Sequence, residues 1–243
     1  MTALILIATF ILAGIVKGVT GMGLPTVTMG LLGLFMTPAE AAALVIIPSL
    51  VTNVWQFAAG PAVAALLRRH FAMLLVMAAA TFAASGLLTG GHTKGAAVAL
   101  GAVLMIYAAV GLVNIRLAVP RRYEPWLGPL VGLVTGVVTG ATGVFVIPAG
   151  PYFQAIGLEK DDLVQALGLS FAVSTLALAA GHWSRGAFHL AAAGTSLLCT
   201  MPALAGVFAG QWLREKIDPD SFRRLFFAGL FVLGTDLAAR AAF

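Results

Sequence analysis

The chain has 243 residues, of which 60% are apolar and only 9% charged, with a net charge of +5. So little polar surface cannot cover a soluble globule, and the sequence reads instead as a polytopic membrane protein built from spans of about 20 apolar residues. The basic balance excludes nothing by itself, but the Lys and Arg residues fall in short connections between apolar stretches, where they report orientation. A nucleic-acid partner is therefore not expected.

Eight apolar segments follow one another, at residues 2–35, 41–67, 71–91, 95–115, 125–158, 163–181, 186–213 and 225–243. The first carries no basic residue ahead of its apolar run and no small-residue cleavage pattern after it, so it is expected to stay in the fold rather than act as a signal peptide. Cys199 lies alone inside the seventh segment, which excludes a disulfide framework and a cysteine metal cluster. No metal or other cofactor is expected.

The first and fifth segments are interrupted, and in the same way. Gly14, Gly18, Thr20 and Gly21 return 122 residues later as Gly136, Gly140, Thr142 and Gly143, each cluster followed by a proline, Pro25 or Pro148. The chain reads as a duplicated half: a first repeat at 1–115, a connection at 116–124 containing Pro120 and the pair Arg121-Arg122, and a second repeat at 125–243. Paired Gly/Pro-broken segments at corresponding positions are a sequence pointer to a transporter's binding site, because backbone unwinds at membrane depth only where protein or a wet cavity satisfies it.

A broken segment of 34 residues would be roughly 50 Å of helix, too long for one perpendicular span of about 30 Å and too short for two with a turn. If both segments crossed as kinked helices, the basic residues would divide almost evenly between the two faces. If both re-enter, Arg68, Arg69, Arg116, Arg121, Arg122, Lys160, Arg214, Lys216, Arg223 and Arg224 share one face, against Lys94, Arg185 and Arg240 on the other. The second arrangement obeys the positive-inside tendency. It predicts an all-α fold of two inverted repeats, each a broken re-entrant helix plus three transmembrane helices, with both termini outside.

The run from Gly14 through Lys17, Gly18, Thr20, Gly21, Met22 and Gly23 to Pro25 resembles a signature of the TauE/SafE sulfite exporter family, the TSUP transporters. Its degenerate second copy at 132–148 and the closing pattern Pro202, Gly206, Gly210, Arg214, Pro219, Arg223-Arg224 carry the same resemblance across the chain. The resemblance implies export of small sulfur-containing anions, such as sulfite or sulfoacetate, across a bacterial inner membrane. The second copy departs from the family pattern at Val144-Phe145-Val146-Ile147, where a glycine run is expected.

The residues themselves suit an anion. A broken helix offers backbone N–H groups and a partial positive charge at the start of its second half, and two such half-helices meeting near the midplane are expected to cradle an oxyanion. Thr20 and Thr142 are candidate hydroxyl donors beside Gly18, Gly21, Met22, Gly23, Gly140 and Gly143; the competing role of each threonine is a bond to its own i−4 carbonyl, and that of the glycines is close helix packing. Lys17, the only charge in the first 39 residues, is a functional candidate by virtue of its cost in the membrane, and its counterpart is Thr139. Ser49, Thr52, Asn53 and Gln56 share one helical face after the first break; Ser170, Ser174 and, at the far end, His182 belong to the corresponding segment of the second half.

Other classes fit less well. A lipid phosphatase needs carboxylates and arginines converging at membrane depth, and an intramembrane protease needs a paired nucleophile or two carboxylates; Asp236 is offset by Arg240 four residues on. A passive anion channel is the rival with the same site. The expected partners are a small anion and membrane lipids, with the oligomeric state open.

Overall fold

The computed structural model describes residues 2–91, 93–113 and 118–242. The described residues form ten α-helices: α1 Thr2–Thr20, α2 Leu24–Leu32, α3 Pro38–Ala58, α4 Val63–Thr89, α5 Thr93–Val113, α6 Glu124–Thr142, α7 Ala149–Ala155, α8 Lys160–Ser184, α9 Leu190–Arg214 and α10 Pro219–Ala242. Among the described residues no strand is present. Among the described residues seven helices, α1, α3, α4, α5, α6, α8 and α9, are long and apolar enough to cross a membrane. Exposed Leu4, Leu75, Ile106, Leu133, Leu198 and Val232 cover the outside, as expected where the solvent is lipid.

Glycine sets how the long helices pair. On α1, Gly14 abuts Ala203 and Gly206 of α9, and Gly18 abuts Gly210 and Gln211, so the two helices run in the same direction. A β-carbon on Gly18 would stand 2.8 Å from Gly210 Cα, which is backbone and cannot yield. Equivalent contacts join α6 to α4: Gly132 meets Met73, Gly136 meets Met77 and Thr81, and Gly140 meets Thr81 and Ala84. By contrast α5 and α10 are antiparallel, with Gly101 against Ala238 and Gly111 against Phe227.

The break in the first segment is a hairpin. Gly30 of α2 faces Leu104 and Gly33 faces Leu100, so α2 runs against α5 and turns back along the direction from which α1 came. The limbs are unequal, because α1 with 19 residues reaches about 28 Å by itself while α2 has only nine. The breaks consequently do not meet at the midplane, contrary to the sequence expectation. Gly18 lies four residues before the end of α9 in register, whereas Gly140 lies one turn from the end of α4, at the opposite end of the bundle. What meets between the breaks is α2 and the stretch 143–150: a β-carbon on Gly143 would lie 2.9 Å from Met29 Sδ, and one on Gly150 would lie 4.0 Å from Met22 Sδ.

Helix α3 contains Pro48, whose missing N–H deprives the Leu44 carbonyl of its helical donor. Buried Ser196 of α9 replaces it, donating to Leu44 O at 2.8 Å and accepting from Ile47 N at 3.1 Å. The turn before α4 falls at residues 59–62, not at Arg68-Arg69, which lie inside α4. Arg69 makes a two-pronged bond to Glu124 at 2.9 and 2.7 Å, tying the starts of α4 and α6 together.

These directions gather Arg68, Arg69, Arg121, Arg122, Arg214, Lys216, Arg223 and Arg224, with the start of α8 at Lys160, at one end of the bundle. Lys94, Arg185 and Arg240 fall at the other. Arg116 lies outside the described residues. Arg240 is bonded to Asp236 at 2.8 Å, as their spacing suggested.

Candidate functional site

Both breaks are closed by the same local chemistry. Thr20 Oγ1 donates to Val16 O and Met22 O at 2.9 and 2.6 Å and accepts from Met22 N; Thr142 Oγ1 donates to Val138 O at 2.7 Å and accepts from Val144 N at 3.3 Å. Each following glycine adopts the left-handed conformation, Gly21 at φ 78° and Gly143 at φ 71°, and returns its N–H to Lys17 O or Thr139 O. The threonine protons are thus committed to backbone carbonyls, and these hydroxyls shape the break rather than offering a donor to an anion. Gly18 and Gly140 are likewise packing residues, sealed against α9 and α4.

Beyond the glycine the two copies diverge. Gly23 caps α2 in a left-handed conformation, with Pro25 in the first turn. The corresponding stretch holds Val144, Phe145 and Val146, all buried, and α7 has only seven residues. The expected pair of matched half-helix N-termini is therefore not formed, and Phe145, at the second break, is fully buried.

The first break opens on a cavity of about 740 Å³ at the basic end. Thr20 and Met22 line it from the break, Val146, Gly150 and Gln154 from the second half, and Tyr107, Arg214, Arg223 and Phe226 from the surrounding helices. Among the described residues no acidic side chain lines it, while two arginines do. Arg223 is steadied by Gly111 O at 2.9 Å and, more loosely, by Asp220 at 3.5 Å; Tyr107 donates to Met22 Sδ at 3.4 Å. Sequence reasoning did not select Arg214, Arg223, Gln154 or Tyr107. Arg214 and Arg223 stood in the closing pattern, but only packing brings that pattern to the break.

Behind the break lies a sealed polar cluster. Lys17 is 5% exposed, and its Nζ donates to Oδ1 of Asn53, which is wholly buried on α3. Asn53 Nδ2 and, one turn earlier, Ser49 Oγ have no hydrogen-bond partner, and among the described residues no carboxylate pairs with Lys17. Gln56, next on the same face, donates to Gly21 O at 3.0 Å and Val164 O at 2.8 Å, pinning the break to α3 and α8. The predicted polar face of α3 is buried at Ser49, Thr52 and Asn53 and half-buried at Gln56, while Trp55 is exposed. On α8, Ser170 bonds weakly to Leu167 O at 3.4 Å, Ser174 Oγ is unpartnered, and buried His182 shares Nδ1 with Leu178 O while Nε2 has no partner. Thr139, the counterpart of Lys17, bonds to Val144 O at 3.2 Å within its own break.

These features define a polytopic helical membrane protein with a basic, solute-sized cavity at the first break and a buried lysine behind it. The model of the sulfite exporter TauE/SafE family matches residues 6–237, and the chain belongs to that family: it is a transmembrane transporter. No curated protein and no solved structure matches it.

Proposed function

We propose that the protein exports a small sulfur oxyanion, sulfite or an organosulfonate such as sulfoacetate, and that Lys17 with Asn53 and Ser49 forms its central binding site. The observation that carries this reading is the Lys17 amino group, buried and bonded to the Asn53 amide instead of a carboxylate, with the unpartnered Ser49 hydroxyl one turn before Asn53. A buried cation without a counter-ion is costly, and a transported anion supplies the missing charge while Asn53 Nδ2 and Ser49 Oγ supply hydrogen-bond donors. The arginine-lined cavity gathers the anion at the basic end.

That end faces the cytoplasm of a bacterial inner membrane in this reading, both termini lie outside, and residues 1–115 and 125–243 act as inverted halves. The antiparallel pairing of α5 with α10 supports the inversion. A carrier is favoured over a channel because the first break lines the cavity while Val144 and Phe145, after the second break, are fully buried, so no open path joins the two.

Thermal shift of the purified protein tests the site. Sulfite and sulfoacetate raise the melting temperature of the wild type, acetate and succinate do not, and Lys17→Met abolishes the response. An equal response to the carboxylates, or an unchanged one in Lys17→Met, overturns the assignment. Sulfite counterflow in proteoliposomes separates carrier from channel.

A further inference from the structure

We infer that Arg185, at the end of the bundle opposite the cavity, forms a second, exit-side binding site for the same oxyanion, presented by Ser85 and approached along α8. The inference rests on the anion reading above and extends it to the far face.

Arg185 is positioned by protein groups through one nitrogen only. Its Nη1 donates to Ser85 Oγ at 2.9 Å and Gly181 O at 3.0 Å, and its guanidinium carbon stands 5.5 Å from the centre of the Phe82 ring. Among the described residues the Nε–Nη2 edge has no hydrogen bond and no carboxylate. That edge is the two-donor fork that matches two oxygens of a sulfonate. It faces Gly86, where a β-carbon would stand 3.2 Å from Nε and 3.4 Å from Nη2, so a glycine there keeps the fork clear. Of the other cations at this end, Arg240 is held by Asp236.

A second line of observation leads to the same place. One turn before Arg185, His182 is wholly buried with Nε2 unpartnered, and two turns further back Ser174 Oγ is in the same state. Because α8 runs against α3, with Val164 bonded to Gln56 and Gly168 abutting Asn53 O, these groups continue from the level of the Lys17 cluster toward Arg185. Of these, Ser174 Oγ is a buried donor without a partner, costly anywhere and more so at membrane depth, and it suits the path of a migrating oxyanion.

Phenylglyoxal modification of the full-length protein in detergent, followed at each arginine by mass spectrometry, tests the site with methanesulfonate as the probe, since sulfite would consume the dicarbonyl. Methanesulfonate is expected to slow modification of Arg185 several-fold and to leave Arg240 unchanged; equal slowing at both, or none at Arg185, overturns the site. In sulfite counterflow, Arg185→Gln raises the half-saturating concentration at its own face about tenfold, the loss expected for a charge-assisted bond, while Arg185→Lys recovers part of it. A shift of the same size at both faces also overturns it. Protection of Arg185 in a protein that carries no sulfite would remove the export reading and leave the site, whereas transport with Arg185 unprotected would do the reverse.

Discussion

Lys17 Nζ donates to Asn53 Oδ1 across the α1–α3 contact, joining two residues 36 positions apart in a cluster closed to the surface. The ammonium keeps two further protons and the amide keeps its NH₂ group, so the pair has donors to spare and no negative charge to receive them. A structural lysine would sit beside a carboxylate. In the proposed reading this one is half of an ion pair whose other half arrives with the substrate.

Replacing Asn53 with Asp tests that arrangement directly. A fixed carboxylate beside Lys17 completes the pair permanently, so Asn53→Asp is expected to melt higher than the wild type and to lose nearly all sulfite flux. Lys17→Met is also expected to melt no lower than the wild type, because it removes a buried charge, and to be inactive. Thermal melts and proteoliposome flux check both; active Asn53→Asp protein would move the site away from Lys17.

The two threonines of the breaks have a structural duty. Thr20→Val and Thr142→Val each remove a bond between the hydroxyl and an i−4 carbonyl, a loss of roughly 0.5–1.5 kcal/mol in stability. Anion affinity is expected to stay within about twofold of wild type, since neither proton is free to meet a ligand. Titration of each variant with sulfite, beside its denaturation midpoint, separates these effects.

The position of the breaks was legible in the sequence because glycine clusters followed by a proline interrupt both long apolar segments, whereas the threonine's bond to its i−4 carbonyl was only one of two readings there. The helix ends around Arg68-Arg69 were misplaced because charge suggested a loop, whereas Gly60-Pro61 marks the turn and the arginines reach the surface from inside α4. The cavity was not legible. Its walls come from α1, α5, α7 and α9–α10, and no local pattern encodes that convergence. The depth of the breaks was lost for a similar reason: the length of α1 is set by its packing along α9 through Gly14 and Gly18, which a count of 34 apolar residues does not reveal.

Two classes of glycine should respond differently. Gly18→Leu or Gly210→Leu forces a side chain into neighbouring backbone and is expected to prevent accumulation of folded protein. At Gly21 the space is open, the nearest atom being Val164 Cγ2 at 3.9 Å from a β-carbon, so Gly21→Ala costs only the left-handed backbone, roughly 1–2 kcal/mol. Yield of monodisperse protein and melting temperature check the contrast.

Ser196→Ala isolates the repair of the α3 kink. It leaves Leu44 O, already deprived of its helical donor, without a partner in a buried, apolar setting, a penalty of about 1–3 kcal/mol. Restoring the α3 hydrogen bond with Pro48→Ala in the same chain should recover most of the loss. Chemical denaturation of the single and double variants measures the coupling, and additive effects would mean that Ser196 acts elsewhere.

Sidedness follows from the gathering of basic residues at the cavity end. In a Cys199→Ser background, Ser221→Cys is expected to react with an impermeant maleimide only from the cytoplasm, and Ala187→Cys only from outside. The same orientation sets the energetics. No acidic residue lines the cavity or pairs with Lys17 among the described residues, so the usual carboxylate proton relay is not built into the site. The membrane potential suffices without one: an interior held negative expels a monoanion with about 2.3 kcal/mol per 100 mV, and roughly 150 mV supports more than a hundredfold outward gradient. Efflux is therefore expected to be electrogenic, to follow a potassium potential set with valinomycin, and to survive collapse of the pH gradient. Flux that ignored voltage and required a proton gradient would mean that the anion travels with a compensating proton, and would place that proton on the substrate or on His182, the buried titratable group nearest the exit.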